Sequence, residues 1–362
     1  MELQGFGNGS DGPLTISSNT IESPIDSSCS GSATSLSLSA TNALFANNQL
    51  IMIHQTRGSG AGSWELNFID SYVAGTITCQ FPLVNTYTDS GASQAQVRVV
   101  PQYSKVTIQS GATYSAKAWD QNVGGILAFL VAGEFVNEGT VSANSAGFYG
   151  GSGVTGNYGY QGEGTGGAGT MSDAANGNGG GGGAKGASGD AGGGGGGHAA
   201  SGSAGGAIGS AHGGTGGGES GNADLGISMT FGGGGGGGLQ DSDPGAAGAG
   251  GRGAGIIMIW AESIITSVGS IQSNGANGSS GVGGGGGGAG GSIYLVAIAM
   301  NIGTNRLYTS AGSGAGDPSG GNGAVGRVRL EACSLTGSTI YGSVSQVIGG
   351  HDFCQTMIHV YG

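Results

Sequence analysis

The chain is poor in charge. Charged residues make up 8% of 362, with 9 Lys and Arg against 21 Asp and Glu and a formal net charge of −12. The cations are scattered from Arg57 to Arg329 without a basic cluster, which argues against nucleic acid as a partner. No apolar run approaches the roughly 18 residues of a membrane helix, so no membrane span is expected. The opening Met1-Glu-Leu-Gln-Gly-Phe-Gly-Asn-Gly-Ser10 has neither a basic start nor an apolar stretch, so no secretory signal is expected. An exterior location would then be reached without a cleaved signal or as part of a virion. Cysteine is down to Cys29, Cys79, Cys333 and Cys354, with no C-x-x-C pair and no His at ligand spacing. That argues against zinc, and neither metal nor cofactor is expected. Cys29 can pair with Cys79 and Cys333 with Cys354 on sequence separation; four free or buried thiols are the alternative.

Glycine is what the chain has in abundance: 89 residues, with only 6 prolines. Gly plus Pro at about a quarter borders on disorder, but low charge and dense apolar segments such as Ile126-Leu-Ala-Phe-Leu-Val131 argue for an ordered chain. Within 121–332, Gly recurs at every third position. One tract reads Gly147, Gly150, Gly153, Gly156, Gly159, Gly162. A second reads Gly177, Gly180, Gly183, Gly186, Gly189, Gly192, Gly195, and a third Gly275, Gly278, Gly281, Gly284, Gly287, Gly290. Poly-Gly runs give this phase in part automatically. Between 147 and 162, where six of the seven glycines share it, they do not. A period of three belongs to extended left-handed helices of the polyproline II type, which lack internal hydrogen bonds and must bond to neighbours. Glycine alone lets backbones come that close. A straight arm of 16 residues would span about 50 Å. Collagen shares the period but is rich in Pro, and residues 177–197 contain none; a polyglycine II bundle is therefore expected over a triple helix. Flexible Gly-rich loops are the alternative.

Strand-like runs precede the tracts in residues 1–120: Leu14–Ile16, Thr34–Leu38, Leu50–His54, Gly75–Cys79, Gln96–Val100 and Lys105–Gln109. This predicts an all-β head over 1–120. A repeat follows, with apolar units starting at Gly125, Gly255, Gly291 and Gly326, each trailed by a second short strand. The last three are 36 and 35 residues apart. Such units cannot bury an apolar face alone but can when stacked. The expected fold is all-β: the head, then a short β-solenoid over 121–345 carrying polyglycine II arms (a main excursion at 147–253, a second at 275–290), and a C-terminal strand or tail at 346–362.

A β-solenoid raises the question of polysaccharide cleavage, which needs clustered acids. Here the acids are dispersed, and Asp241 and Asp243 read as a turn in Leu239-Gln-Asp-Ser-Asp-Pro-Gly245. The run 232–238 lacks the Lys-Ser/Thr of a phosphate loop. No catalytic residue is expected. Aromatics among Gly and Ser suit adaptable binding surfaces, so Tyr149, Tyr158, Tyr160, Phe231 and Leu239 are candidate receptor contacts, with packing of the arms as the alternative. His198 and His212 are expected to decorate arm tips.

Rungs such as Gly291-Ser-Ile-Tyr-Leu-Val296 beside Gly tracts resemble the glycine-rich distal adhesins of tailed bacteriophages, and Phe6-Gly-Asn-Gly-Ser-Asp-Gly-Pro-Leu-Thr-Ile16 resembles the starts of phage and bacterial surface proteins. The resemblance implies a non-enzymatic virion surface protein, a tail fibre or tip adhesin. Its partners would be a host cell-surface glycan or outer-membrane protein and other virion subunits, in a homo-oligomer. The alternatives are a subunit of an extracellular filament or surface layer and, third, a polysaccharide-degrading β-solenoid enzyme.

Overall fold

The computed structural model describes residues 5–183, 188–241, 245–348 and 354, and every assigned element is a β-strand. Among these residues no helix is long and apolar enough to cross a membrane.

A 12-stranded parallel sheet forms a solenoid-like stack. Its main strands are Ile126–Asn137, Ile256–Ile265, Ser292–Tyr308 and Arg327–Tyr341. The repeat units lie in register: Ile126 sits beside Ile256, Ile256 beside Ser292 and Ser292 beside Arg327. Separations of 36 and 35 residues are thus one turn of the coil. The first strand shifts register between Val131 and Glu134, at Ala132-Gly133, and there begins a second column in which Phe135, Ile264, Met300 and Leu335 stack. A third column stacks Val141, Ile271, Leu307 and Ile340. Alternate side chains along the first column, among them Leu127, Phe129, Ile257, Ile259, Leu295 and Leu330, fill the interior with these columns. Ser343–Ile348 adds a strand on the last rung.

Residue 120 is not a boundary between sheets. Pro13–Ile16 pairs with Lys105–Ile108, which continues the second column below Phe135, and Thr20–Ile21 and Thr113–Ser115 continue the third. The alternation of 105–109 identifies a strand without identifying the sheet it joins. The intervening chain makes a six-stranded antiparallel sheet, ordered Asp26–Ser28, Gln94–Val99, Leu50–Arg57, Trp64–Val73, Thr76–Cys79, Ser37–Ser39. Its strand Leu50–Arg57 is wholly buried. Leu50 and Met52 join a core with Ile126, Ala128, Leu130 and Ile256 of the solenoid, while Ile51 and Ile53 join a separate core with Leu38, Ile69, Ile77 and Val97.

The glycine-rich chain runs from the third column of one rung to the first column of the next, over 143–255, 273–291 and 309–326. Among its described residues only Val154–Thr155 and Leu239–Gln240 are assigned as strand, yet residues 229–240 are buried throughout. Its hydrogen bonds cycle in threes. Gly233 and Gly236 donate to Gly197 and Gly194, Gly234 and Gly237 to Glu163 and Tyr160, and Gly235 and Gly238 to Gly251 and Gly248, at 2.8–3.0 Å. Residues 284–289 repeat the cycle toward Pro318 and Gly321, Ser279 and Ala276, and Gly236 and Gly233. Buried amides need partners, and here neighbouring backbone supplies them on three sides. A Cβ on Gly236 would lie 1.9 Å from the Gly181 carbonyl oxygen.

The tracts do not make single long arms. Val154 and Thr155 pair with Leu239 and Gln240, after which Gly159 and Gly162 return along Gly183 and Gly180. The second tract reverses between Gly183 and Gly189, and its Gly186 lies outside the described residues. The third reverses at Gly283, with φ of 76°. Each glycine-rich stretch between reversals is about eight residues long, half the expected length. The phase of three runs on through the turns, so its continuity in sequence does not mean a straight rod.

One buried carboxylate ties the rods to the rest. Glu163 accepts from Arg57 at 2.5 Å, from the Trp119 indole at 3.0 and 3.1 Å, and from the Tyr149 amide at 3.0 Å. Cys333 and Cys354 form a disulfide, while Cys29 and Cys79 are buried free thiols, so only the second of the two pairings has formed. Thiols confined in the antiparallel core sit on different strands there, Cys79 on Thr76–Cys79 and Cys29 beside Asp26–Ser28.

Candidate binding surfaces

The rods end together on the side away from the solenoid, because each pair is joined there by a turn. Turns near residues 156, 209, 282 and 317 converge with the chain at 188–190 and 239–241 and bond to one another. Thr155 donates to the Gln240 side chain at 3.1 Å, and Asp241 accepts from the Gly189 amide at 3.1 Å. Its own amide donates to the Asp190 carboxylate at 2.7 Å. Ile208 N donates to Asp190 O and Ser210 N to Ser188 O, and Val282 bridges to Asp317. The turns therefore form one continuous end face held by short polar links. Tyr158, at 42% exposure, and Ile208, at 50%, stand out from it, with His212 and Asp317 also exposed.

The sequence candidates divide between this face and the interior. Tyr158 and His212 are exposed at or beside the end turns. Tyr160 is 38% exposed on the flank of the bundle, bridged to Met171. Tyr149 is half-buried with the Arg252 guanidinium 3.8 Å above its ring. His198, Phe231 and Leu239 are fully buried and are corrected to packing residues. Phe231 stacks among Trp119, Phe148 and His54, plugging the solenoid end of the central rod. Burial, aided by nearby Arg327, lowers the His198 pKa to about 3, so its imidazole is neutral. These residues flank a rod with neighbours on every side, which their Gly-rich context in the sequence conceals. Among the described residues no three of His, Cys, Asp and Glu gather as a metal site; Asp243 lies outside them.

A second surface was not visible in the sequence. Where the antiparallel sheet, the solenoid and the loop 219–228 meet, Tyr294 stands between two indoles, its ring centroid 6.3 Å from Trp64 and 5.8 Å from Trp260, both edge to face. The Tyr294 hydroxyl donates to Glu331 at 2.9 Å, and Arg329 Nε donates to the same oxygen at 2.9 Å. Arg329 also lies 3.7 Å from Asp224, whose side chain is 39% exposed. The Trp64 indole donates to the Leu225 carbonyl at 2.8 Å, fixing the loop. Burial raises the Tyr294 hydroxyl pKa far above the ordinary phenol value, with Glu331 adding to it. Register explains the grouping: Tyr294 lies beside Arg329, and Trp260 beside Val296, which lies beside Glu331. Signals for it existed only as isolated aromatics and acids from five distant stretches.

No family model matches the chain, and no curated protein matches it. Among solved structures, the Gp54 tailspike of Acinetobacter baumannii bacteriophage AP22, determined in complex with A. baumannii capsular saccharide, aligns over 93% of this chain at 9% identity and a TM-score of 0.21. The tailspike protein gp49 from Pseudomonas phage LKA1 aligns over 94% at 12% identity and a TM-score of 0.20. The chain spans 60% and 69% of their lengths. Likeness at this level carries no functional argument.

Proposed function

We propose that the chain is a non-enzymatic virion surface protein, a phage tail fibre or tip adhesin, in which polyglycine II rods hold the end-face turns against a glycan or protein receptor on a bacterial surface. The observation that carries this reading is the three-way cycling of hydrogen bonds from Gly233 to Gly238, which ends at turns exposing Tyr158 and Ile208. Rods bonded on three sides restrict turn motion, so little ordering entropy is lost on contact. Exposed Tyr among Gly, Ser and Asn gives a rigid anchor with adaptable polar neighbours. The partner class comes from the sequence resemblance.

Fluorescently labelled chain should bind receptor-bearing cells saturably and compete with adsorption of the particle that carries it. A Tyr158→Ala, Ile208→Ser variant should lose most of that binding with unchanged thermal unfolding, and receptor polysaccharide incubated with the chain should keep its viscosity. Undiminished cell binding by a folded variant with every end-face turn rewritten to Gly and Ser would refute the assignment of the face. Falling viscosity would refute the non-enzymatic reading.

A further inference from the structure

We infer that the seam formed by Trp64, Trp260, Tyr294, Asp224, Arg329 and Glu331 is a binding site for a neutral pyranose saccharide, separate from the end face. Two partly exposed indoles flank the buried Tyr294 ring beside polar groups that are fixed in place, the pairing a sugar needs. The apolar C–H face of a pyranose stacks on an indole, and its hydroxyls bond to charged side chains at the rim. Trp64 and Trp260 are both partly exposed and flank Tyr294. The buried Trp260 indole N–H has no acceptor among the described residues, so the aromatic cluster keeps an unmet donor just beneath its surface. Asp224, its side chain 39% exposed, forms the open rim, Arg329 lies mostly covered behind it at 12%, and Glu331 orients Arg329 from beneath at 2.9 Å.

Charge selects the class of sugar. The single guanidinium at the seam faces two carboxylates, Glu331 and Asp224, in a chain of net charge −12. An anionic saccharide would meet repulsion there, whereas hydroxyl and acetamido groups can donate to Asp224 and accept from Arg329. Both arginine partners are already engaged, which suits holding a ligand. The loop 219–228 sets the rim: Asp224 accepts from the Gly226 amide at 2.9 Å, and its own amide donates to Asn222 at 2.9 Å.

The test is tryptophan fluorescence and calorimetry of the full chain titrated with chitotetraose, cellotetraose and maltotetraose, with polygalacturonate as the anionic comparison. One or more of the neutral tetrasaccharides should shift the emission with a Kd in the range of about 0.1–10 mM, typical of a single shallow site, and polygalacturonate should not. Asp224→Ala, on an exposed rim, and Trp260→Phe, which keeps a ring against Tyr294, should each weaken binding at least about tenfold at unchanged unfolding temperature. The end-face variant Tyr158→Ala should bind the sugar as the parent does, which separates failure at the seam from failure at the end face. No response to any neutral tetrasaccharide at 10 mM, tighter binding of polygalacturonate, or full binding by folded Asp224→Ala and Trp260→Phe would each overturn the assignment.

Discussion

Replacing Gly236 with alanine puts a methyl carbon 1.9 Å from the Gly181 carbonyl oxygen and 2.5 Å from its carbon. Both are backbone, so the clash is relieved only by moving a rod. Restoring an ordinary contact takes a displacement of about 1.3 Å or more. The rod of Gly180–Gly183 is bonded to the central one by Gly180 N to Gly234 O and Gly183 N to Gly237 O, each 2.9 Å. That displacement carries both beyond hydrogen-bond range. Buried groups left without partners cost about 1–3 kcal/mol each, so weakening two bonds costs roughly 2–6 kcal/mol. Stiffening the unfolded chain returns about 0.4–1 kcal/mol. The net expectation is about 1–6 kcal/mol of destabilisation, a large part of a typical domain's 5–15 kcal/mol. Gly218→Ala is the control. There the nearest atom to the new carbon, the Gly177 carbonyl oxygen, is 3.3 Å away, so the expected change is within about 1 kcal/mol of zero. Urea unfolding followed by circular dichroism, with amide exchange of the rods, measures both. Equal midpoints for the two variants would refute the close-packed account of the bundle.

Other expectations follow from particular contacts. Glu163→Gln leaves Arg57 buried without a counter-charge, and a loss of about 3–5 kcal/mol is expected in urea unfolding, with Trp119 emission moving toward that of exposed indole. Burial lowers His54 to about 4 and His198 to about 3 from an ordinary 6.5. The unfolded chain therefore takes up protons that the folded chain refuses, and stability should fall as pH drops from about 6.5 toward 3–4, by about 3–5 kcal/mol for each imidazole. Melting temperatures across that range check this, and His54→Gln should flatten the slope. Cys29 and Cys79 are buried, and burial raises the Cys79 thiol to about 12, so a thiol reagent should label neither until the chain unfolds, then both. Reducing Cys333–Cys354, a link across 21 residues, should cost about 3 kcal/mol in unfolding experiments with and without reductant.

The rungs were legible because each carries its own mark, an apolar run after Gly125, Gly255, Gly291 or Gly326, and equal spacing put those marks in register. The two rungs before residue 120 were not. Pro13–Ile16 and Lys105–Ile108 are four residues each, and a short alternating strand says nothing about whether its partner is parallel or antiparallel. The period of three marked the stretches whose backbone bonds cycle in threes but not their reversals, since a turn at Gly283 leaves the count undisturbed. Phe231 and Leu239 look exposed in a glycine-rich stretch, but the rod they bracket is the innermost, so both are buried. The seam around Tyr294 lay beyond sequence reasoning altogether, because Trp64, Asp224, Trp260 and Arg329 meet only after three separately built parts close on one another.

A bundle interior built mostly of main chain has little to repack. In an ordinary core, altering one loop disturbs the fit of the residues beneath it, and the disturbance spreads. Beneath the turns near residues 156, 209 and 317 lies mostly glycine main chain, with Ala191, Leu239 and Gln240 among the few buried side chains. Rewriting one turn therefore disturbs the others chiefly through the polar links between turns, such as Thr155 to Gln240 and Gly189 to Asp241, and the end face can acquire new shapes wherever those links are kept.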